Sequence, residues 1–339
     1  MLNFLRKKII SSRDAKIIER KNKLKIIDKF DLDYKIKTFG NKNKHLTFYV
    51  IQRSPGGGMF SNLCFVIHHL SIANELGFIP VIDMENFATI YNENIKIKNS
   101  FNSWDYYFEP VSKYKLIDVY KSKKVIITSS KTMGIKYFDG FEYFSKKHKK
   151  IIKKYIKFKN FLITKKKIFL KNNFYNKKIL GVHFRGTDYK NMERHPLPAT
   201  KKQIYSKIKK IQKKYNYDKI FLVTEEKDYF NFLSKEFNNL FIYPSILTDK
   251  KQLFFEKNIK SLRYKIGEEN IINMMLLSST NHILGISSHM INSAMFFSKR
   301  KILLTKIDNG NNSNNIFFAQ FKWYLKKILP SFFFGFKIN

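Results

Sequence analysis

The chain has 339 residues, more than one ordinary hydrophobic core holds, so about two domains are expected. Its 44% hydrophobic content, with 34 Phe and 19 Tyr, excludes a disordered chain, and its one cysteine, Cys64, excludes an intrachain disulfide and a cysteine-only metal site. The net charge of +39 comes from lysine far more than arginine in a composition rich throughout in Lys, Ile, Asn and Phe, so no nucleic acid is expected and an anionic membrane face or nucleotide ligand fits better.

In the first ten residues Leu2, Phe4, Leu5, Ile9 and Ile10 alternate with Arg6, Lys7 and Lys8. No long apolar core with a cleavage site follows, and no stretch supplies the roughly 18 consecutive apolar residues that span a bilayer, so a cytoplasmic protein is expected. Residues 1–44 read as a basic lead-in. Residues 46–52 predict a strand, Gly56-Gly57-Gly58 a loop, and residues 60–76 a helix, because Phe60, Leu63, Cys64, Ile67 and Leu70 recur at helical spacing before Gly77. A strand at 79–83 completes the first building block of a Rossmann-like sheet. Periodicity weakens over 87–139, where 124–128 is strand-like, and 146–167 predicts a lysine-dense helix and linker.

A second alternating series begins with strand 178–184, helix 201–214, strand 219–223, helix 227–237 and strand 240–243. It continues with helix 268–279, strand 282–286, helix 288–297 and strand 301–305, which predicts a second parallel sheet with right-handed crossovers. The tail 316–338 mixes Trp323, Tyr324, Phe332, Phe333 and Phe334 with Lys322, Lys326 and Lys327. That composition suits an interfacial segment in contact with an anionic membrane, or a terminal helix packed on the body with a basic outer face.

The richest polar motifs close strands of the second series. The peptide from Gly181 through His183, Arg185, Gly186 and Asp188 to Tyr189 brings its polar residues to the strand end where open sheets bind ligands. The forked donors of Arg185 match phosphate oxygens, and Gly186 permits close approach; alternatively Arg185 and Asp188 only pin a turn. Gly285-Ile286-Ser287-Ser288-His289 places Ser287 or Ser288 at a helix N-terminus, as an anion ligand or as a plain cap. Gly56, Gly57 and Gly58 lack the spaced dinucleotide fingerprint and allow close backbone approach or a flexible turn. Asp83, Glu85, Glu225 and Glu226 end strands and are expected to be solvated. His68, His69, His183, His195 and His289 show no metal-ligand spacing, and the nearest Asp-x-Asp, at Asp31 and Asp33, lies in the lead-in, so no metal is expected.

His183-Phe184-Arg185-Gly186-Thr187-Asp188 resembles the His-x-Arg-x-x-Asp peptide of the fucosyltransferase superfamily, which spans α1,2-, α1,6- and protein O-fucosyltransferases of GT-B fold. Similar stretches follow in the same order: Gly267-Glu268-Glu269, Leu276-Leu277-Ser278, Asn281-His282-Ile283-Leu284-Gly285 and the Ser287-Ser288 turn. Gly56-Gly57-Gly58-Met59-Phe60-Ser61-Asn62 resembles the family's glycine-rich first loop. The likeness is strongest over 178–297.

It implies an α/β, GT-B-like fold of two Rossmann-like domains with parallel sheets facing across a cleft. An acceptor-side domain with linker would occupy 45–175, a nucleotide-sugar-binding domain 176–306, and an aromatic, basic segment 307–339. It also implies GDP-fucose as donor; the basic, aromatic termini point to a glycan acceptor in surface polysaccharide or lipooligosaccharide assembly, and no cofactor is expected. Arg185 would hold the pyrophosphate, His183 would lie near the guanine edge, and Ser287 or Ser288 would hold a phosphate. The inverting displacement needs a general base. Glu193 stands five residues after Asp188, the spacing of the catalytic glutamate in the α1,6 type, and His195 is its rival. The chain departs from the pattern at Gly186, where the α1,6 type has a second arginine, and at Asn273, where the family has an aspartate. An amide brings no charge to a guanine N–H pair, so another nucleotide sugar remains an alternative.

Overall fold

The computed structural model describes residues 34–128, 146–250 and 252–338. Leu2, Phe4, Leu5, Ile9, Ile10, Asp31 and Asp33 lie outside the described residues, as does part of the 87–139 stretch. The chain divides into two compact units, residues 1–160 and 161–339.

In the first unit β1 (Tyr34–Lys37), β2 (Phe48–Ile51), α1 (Met59–Leu76), β3 (Ile79–Ile82), α2 (Leu116–Val119), β4 (Val125–Thr128) and α3 (Lys146–Tyr155) follow in order. The sheet runs β1-β4-β2-β3, with β4, β2 and β3 parallel and β1 antiparallel to β4. The stretch expected as a plain lead-in thus contributes an edge strand, which pairs through Tyr34 with Thr128 and Lys37 with Val125. All of β2 is buried. Helix α1 is apolar around most of its circumference, with Phe60, Leu63, Cys64, Phe65, Val66, Ile67 and Leu70 buried, because it lies between the sheet and α3. Gly77 ends it in the left-handed region, at φ 71°, and donates its N–H to the Ala73 carbonyl.

The carboxylate after β3 is not solvated. Asp83 is fully buried, accepts from the amides of Glu85 and Asn86 at 3.1 and 2.9 Å, and takes the Tyr120 hydroxyl, so it closes a turn.

The second unit is built from α4 (Asn160–Asn173), β5 (Ile179–His183), α5 (Lys201–Tyr215), β6 (Lys219–Val223), α6 (Lys227–Glu236), β7 (Leu240–Phe241), α7 (Leu262–Leu277), β8 (His282–Gly285), α8 (His289–Phe297), β9 (Leu303–Lys306) and α9 (Ile316–Ile328). The second unit begins at Phe161, one residue into α4, and Phe169 of that helix stacks on Phe241 at 6.0 Å and meets Phe221 at 6.1 Å. Helix α5 starts in a capping box, where Thr200 and Gln203 bond each other's backbone amides.

The five parallel strands are ordered β7-β6-β5-β8-β9. All of β5 is buried, and Leu180, Val182, Phe184, Ile204, Ile208, Ile220, Leu222 and Leu284 share one core. Full burial of each such side chain stabilises the fold by roughly 1.5–3 kcal/mol. Gly181 lets α7 lie against the strand: a Cβ there would stand 2.9 Å from Leu277 and 3.0 Å from Thr280. The winding reverses between β5 and β8, and such a switch point is where open α/β sheets hold ligands, beyond the carboxyl ends of the strands.

The C-terminal segment is packed on this unit. Trp323 is 3% exposed, donates its indole N–H to the Pro198 carbonyl at 2.9 Å, and forms a core with Leu197 and Phe336. The outer face of α9, expected to be basic if the helix packed back, carries exposed Ile316, Phe317, Phe318, Phe321, Leu325 and Ile328. Among the described residues no helix is long and apolar enough to cross a membrane.

Candidate functional site

Strands β5 and β8 pair with His183 opposite Gly285, so the peptide after His183 and the turn 286–288 leave the sheet side by side at the switch point. His183 is 4% exposed, and burial, with the charge on Arg185 adding to it, pushes its imidazole down to about 3. It is therefore neutral near pH 7. Ser288 Oγ accepts from the Ile291 amide at 3.2 Å, capping α8, and lies 3.4 Å from His183 Nδ1. With its lone pair engaged at the cap, the hydroxyl can donate to Nδ1, a tautomer that leaves His183 Nε2–H as a donor. Ser288 is thus both the cap and a neighbour of the motif, while Ser287 is exposed.

Arg185 donates through Nη2 to Asp188 at 3.0 Å and through Nε at 3.4 Å, and lies 3.9 Å from Glu225. Its guanidinium covers the Tyr189 ring at 4.6 Å. The planar group is therefore oriented before any ligand arrives, with Nη1 uncommitted to Asp188. Thr187 donates to Glu225. Burial raises Glu225, and Arg185 and Thr187 pull it back, so this carboxylate and Asp188 set the orientation of the arginine.

Glu226 is 7% exposed and accepts from Lys190 at 2.8 and 3.0 Å. The two carboxylates expected to be solvated after β6 are thus a partner of the motif and half of a nearly buried ion pair. Position 181 to 189 alone could not show this, since both partners come from the neighbouring strand's exit.

Packing alone already demands glycine at position 186. A Cβ there would collide with the Phe184 ring and the Glu226 carboxylate, and Phe184 is itself stacked on Tyr229 at 3.5 Å. A second arginine at this position has no room. Gly186→Ala is expected to cost about 1–3 kcal/mol by overpacking, read as a lower urea midpoint at unchanged slope. An unchanged midpoint would mean that Phe184 and Glu226 step aside freely.

The loop after Asp188 carries both candidate bases. The Glu193 side chain is exposed, and its carbonyl bonds His195 Nδ1 at 2.8 Å. The His195 ring packs on Tyr189 at 4.9 Å, which brings it to the arginine's side of the site. His289, at the first position of α8, is lowered by burial and further by His195 and Arg185, and its Nδ1 is buried without a partner. Sequence reasoning weighed His289 only as a metal ligand. Its signal was its place directly after the Ser287-Ser288 turn.

Asn273 is not brought to these residues by any contact described. It is 7% exposed on α7, its amide nitrogen reaches Ser245 Oγ at 3.3 Å, and its Oδ1 is buried without a partner. One turn earlier, Glu269 accepts from the Ile246 amide at 2.9 Å. Burial pushes Glu269 up to about 7, with Glu268 adding to the rise and the Ile246 amide opposing it. Because its folded pKa lies above its unfolded value, the stability it contributes is full below about pH 4.5 and is lost as pH rises through about 7. Glu269→Gln is expected to remove this loss, gaining about 2–3 kcal/mol over wild type at pH 8 and little at pH 4, by urea unfolding at both values.

The glycine loop belongs to the first unit. Gly56 is in the left-handed region, at φ 73°, the Gly57 amide donates to Asn62 at 2.8 Å, and the Met59 amide donates to the Tyr91 hydroxyl at 2.8 Å. Gly58 precedes α1 as its N-cap residue. These bonds make the loop a structured turn. Among the described residues no three His, Cys, Asp or Glu side chains converge as a metal site.

No protein-family model matches the sequence, and no curated protein matches it. Solved structures do. A NodZ alpha-1,6-fucosyltransferase co-crystallized with GDP is 16% identical, with a TM-score of 0.52 over 78% of this chain and 96% of that one. The fucosyltransferase NodZ from Bradyrhizobium is 15% identical, with a TM-score of 0.52 over 80% and 99%. A NodZ alpha-1,6-fucosyltransferase soaked with GDP-fucose is 15% identical, with a TM-score of 0.50 over 78% and 95%. The chain therefore has a fucosyltransferase-like, GT-B-like α/β fold.

Proposed function

We propose that the protein is a glycosyltransferase that moves fucose from GDP-fucose to a glycan acceptor by a single inverting displacement without a metal ion. The observation that carries this reading is the oriented Arg185 at the exit of β5, side by side with the Ser288-capped start of α8 across the switch point. Proteins of similar fold have been co-crystallized with GDP or soaked with GDP-fucose.

In this reaction the bond from the fucosyl carbon to the β-phosphate oxygen breaks, the acceptor oxygen bonds that carbon, and GDP leaves with the electron pair. Negative charge grows on the diphosphate. The guanidinium of Arg185 and the first amides of α8, with Ser287 beside them, supply donors to that charge. His183, neutral, and with Nε2–H as a donor when Ser288 donates to Nδ1, suits a hydrogen bond to the donor's base and is too weak a base to take the acceptor proton. Glu193 is the proposed base and His195 its rival. Wild-type turnover in Glu193→Gln would move the role to His195.

Asn273 Oδ1 wants a donor, which a nucleobase N–H supplies, although with less strength than a carboxylate would attract it. The loop Gly56, Gly57 and Gly58 is proposed to lie on the donor's path. Calorimetry with GDP, UDP and ADP tests the donor: tight UDP binding without GDP binding would replace fucose by another nucleotide sugar. Salt-steep RNA binding unaffected by Arg185→Ala would favour a polyanion-binding protein instead. The proposed setting is surface polysaccharide or lipooligosaccharide assembly on the cytoplasmic face of an anionic membrane.

A further inference from the structure

Exposed apolar side chains concentrate on α9 and on the 3-10 turn Ser331–Phe333 that follows it. Ile316, Phe317, Phe318, Phe321, Leu325 and Ile328 are each more than half exposed along the helix. Phe332, Phe333 and Phe334 add 78%, 59% and 85% exposure at its end. Singly exposed apolar residues need no explanation, but a contiguous aromatic surface does.

The turn is built to hold these rings outward. The Gly335 amide donates to the Pro330 carbonyl at 3.0 Å, and the Phe336 amide donates to the Lys326 carbonyl at 3.1 Å. Phe334 takes the left-handed region at φ 64°, a strained conformation for a bulky side chain. A Cβ on Gly335 would run into the Leu329 carbonyl, so only glycine closes the turn. Phe336 then returns to the core beside Trp323, at 6.1 Å. The backbone thus closes beneath three phenylalanines that stay largely exposed.

Beside them opens a recess of about 550 Å³. Lys207, Lys306, Lys326 and Lys337 line it against one carboxylate, Asp308, and Phe332 and Phe334 stand among its walls. Burial, and then Lys322 one turn earlier on the helix, push the Lys326 ammonium down. Lys306 ends β9, which is parallel to β5 and β8, so the recess lies at the same carboxyl edge of the sheet as Arg185 and Ser288.

We infer that α9 and residues 331–334 dock on an anionic bilayer, the aromatic rings entering the acyl boundary while the lysine recess takes a lipid phosphate. Aromatic residues interleaved with lysine are the composition of interfacial segments, and the negative surface of a membrane complements a chain of net charge +39. A second copy of this chain would set lysine against lysine. The inference rests on the membrane setting proposed for the enzyme, and it is independent of the donor.

Sedimentation of the full chain with phosphatidylcholine vesicles, with and without phosphatidylglycerol, tests it. Binding is expected only with phosphatidylglycerol. Replacing Phe332, Phe333 and Phe334 together by serine should lower the partition coefficient at least roughly tenfold, and Lys326→Glu with Lys337→Glu should do the same. Both variants should keep the wild-type melting temperature and GDP affinity, since neither touches the Arg185 site. Absence of wild-type binding to the anionic vesicles, or equal binding by the triple variant, would overturn the inference. So would a concentration-dependent dimer that the triple variant abolishes, which would assign this face to a second copy. Vesicle binding in a protein that binds no GDP would leave the docking surface standing and remove the donor reading alone.

Discussion

Under the proposed reaction, Arg185→Lys is expected to lower transfer from GDP-fucose by roughly 10²–10³-fold, the size of effect seen when one donor to developing transition-state charge is lost. Lysine keeps the charge and loses the fork. Arg185 gives Nη2 and Nε to Asp188, which leaves Nη1 for the proposed diphosphate, while Tyr189 fixes the plane at 4.6 Å. A single ammonium cannot serve Asp188 and a diphosphate in that geometry. The loss should fall mainly on kcat, with a smaller change in GDP affinity, because the leaving diphosphate carries more charge in the transition state than in the bound donor. Initial rates and GDP titration of the purified variant separate the two. Retention of full activity would reduce Arg185 to a residue that pins its turn through Asp188.

Trp323→Ala is expected to destabilise the second unit by about 3–5 kcal/mol, as truncation of a buried tryptophan does. Trp323 fills the space beside Leu197 and Phe336, and its indole N–H satisfies the Pro198 carbonyl. Lys190, paired with Glu226, lies 5.1 Å over its ring. The loop carrying Glu193 and His195 is also tied to the C-terminal segment through backbone bonds from Arg194 to Ser313 at 3.1 Å and from Asn312 to His195 at 2.8 Å. The variant should therefore lose transfer activity at temperatures where the sheet remains folded. Urea unfolding measures the first effect and activity against temperature the second. A loss below about 1 kcal/mol would mean that α9 is an appendage instead of part of the unit.

The βα alternation of the second unit was legible because buried parallel strands read as short apolar runs. Residues 178–184, 219–223 and 282–286 correspond to β5, β6 and β8, β6 at both ends and the others to within one residue. Strand β1 was not legible, since Tyr-Lys-Ile-Lys in a lysine-rich stretch becomes a strand only by pairing with β4. Helix α7 begins at Leu262, earlier than the periodicity suggested. The tail showed its aromatic and basic composition but not its orientation. Ala319 and Trp323 face inward, and the aromatic side faces out, because the core beside Leu197 and Phe336 takes those two side chains of the helix.

The sequence by itself determined the elements of the second sheet and the chemistry offered at its edge, an arginine with an aspartate three residues on and a serine opening a helix. These depend on local periodicity and on residue types that carry their charge and donors wherever they fold. The tertiary structure decided what each group meets. Thr187 and Glu225 are 38 residues apart in the chain and bonded in the site, and Ser288 stands 105 residues from the His183 it faces. Glu226 became a buried partner of Lys190, and Gly186 became the only residue that fits between Phe184 and that carboxylate. Strand order sets such neighbours, and no spacing along the chain encodes it.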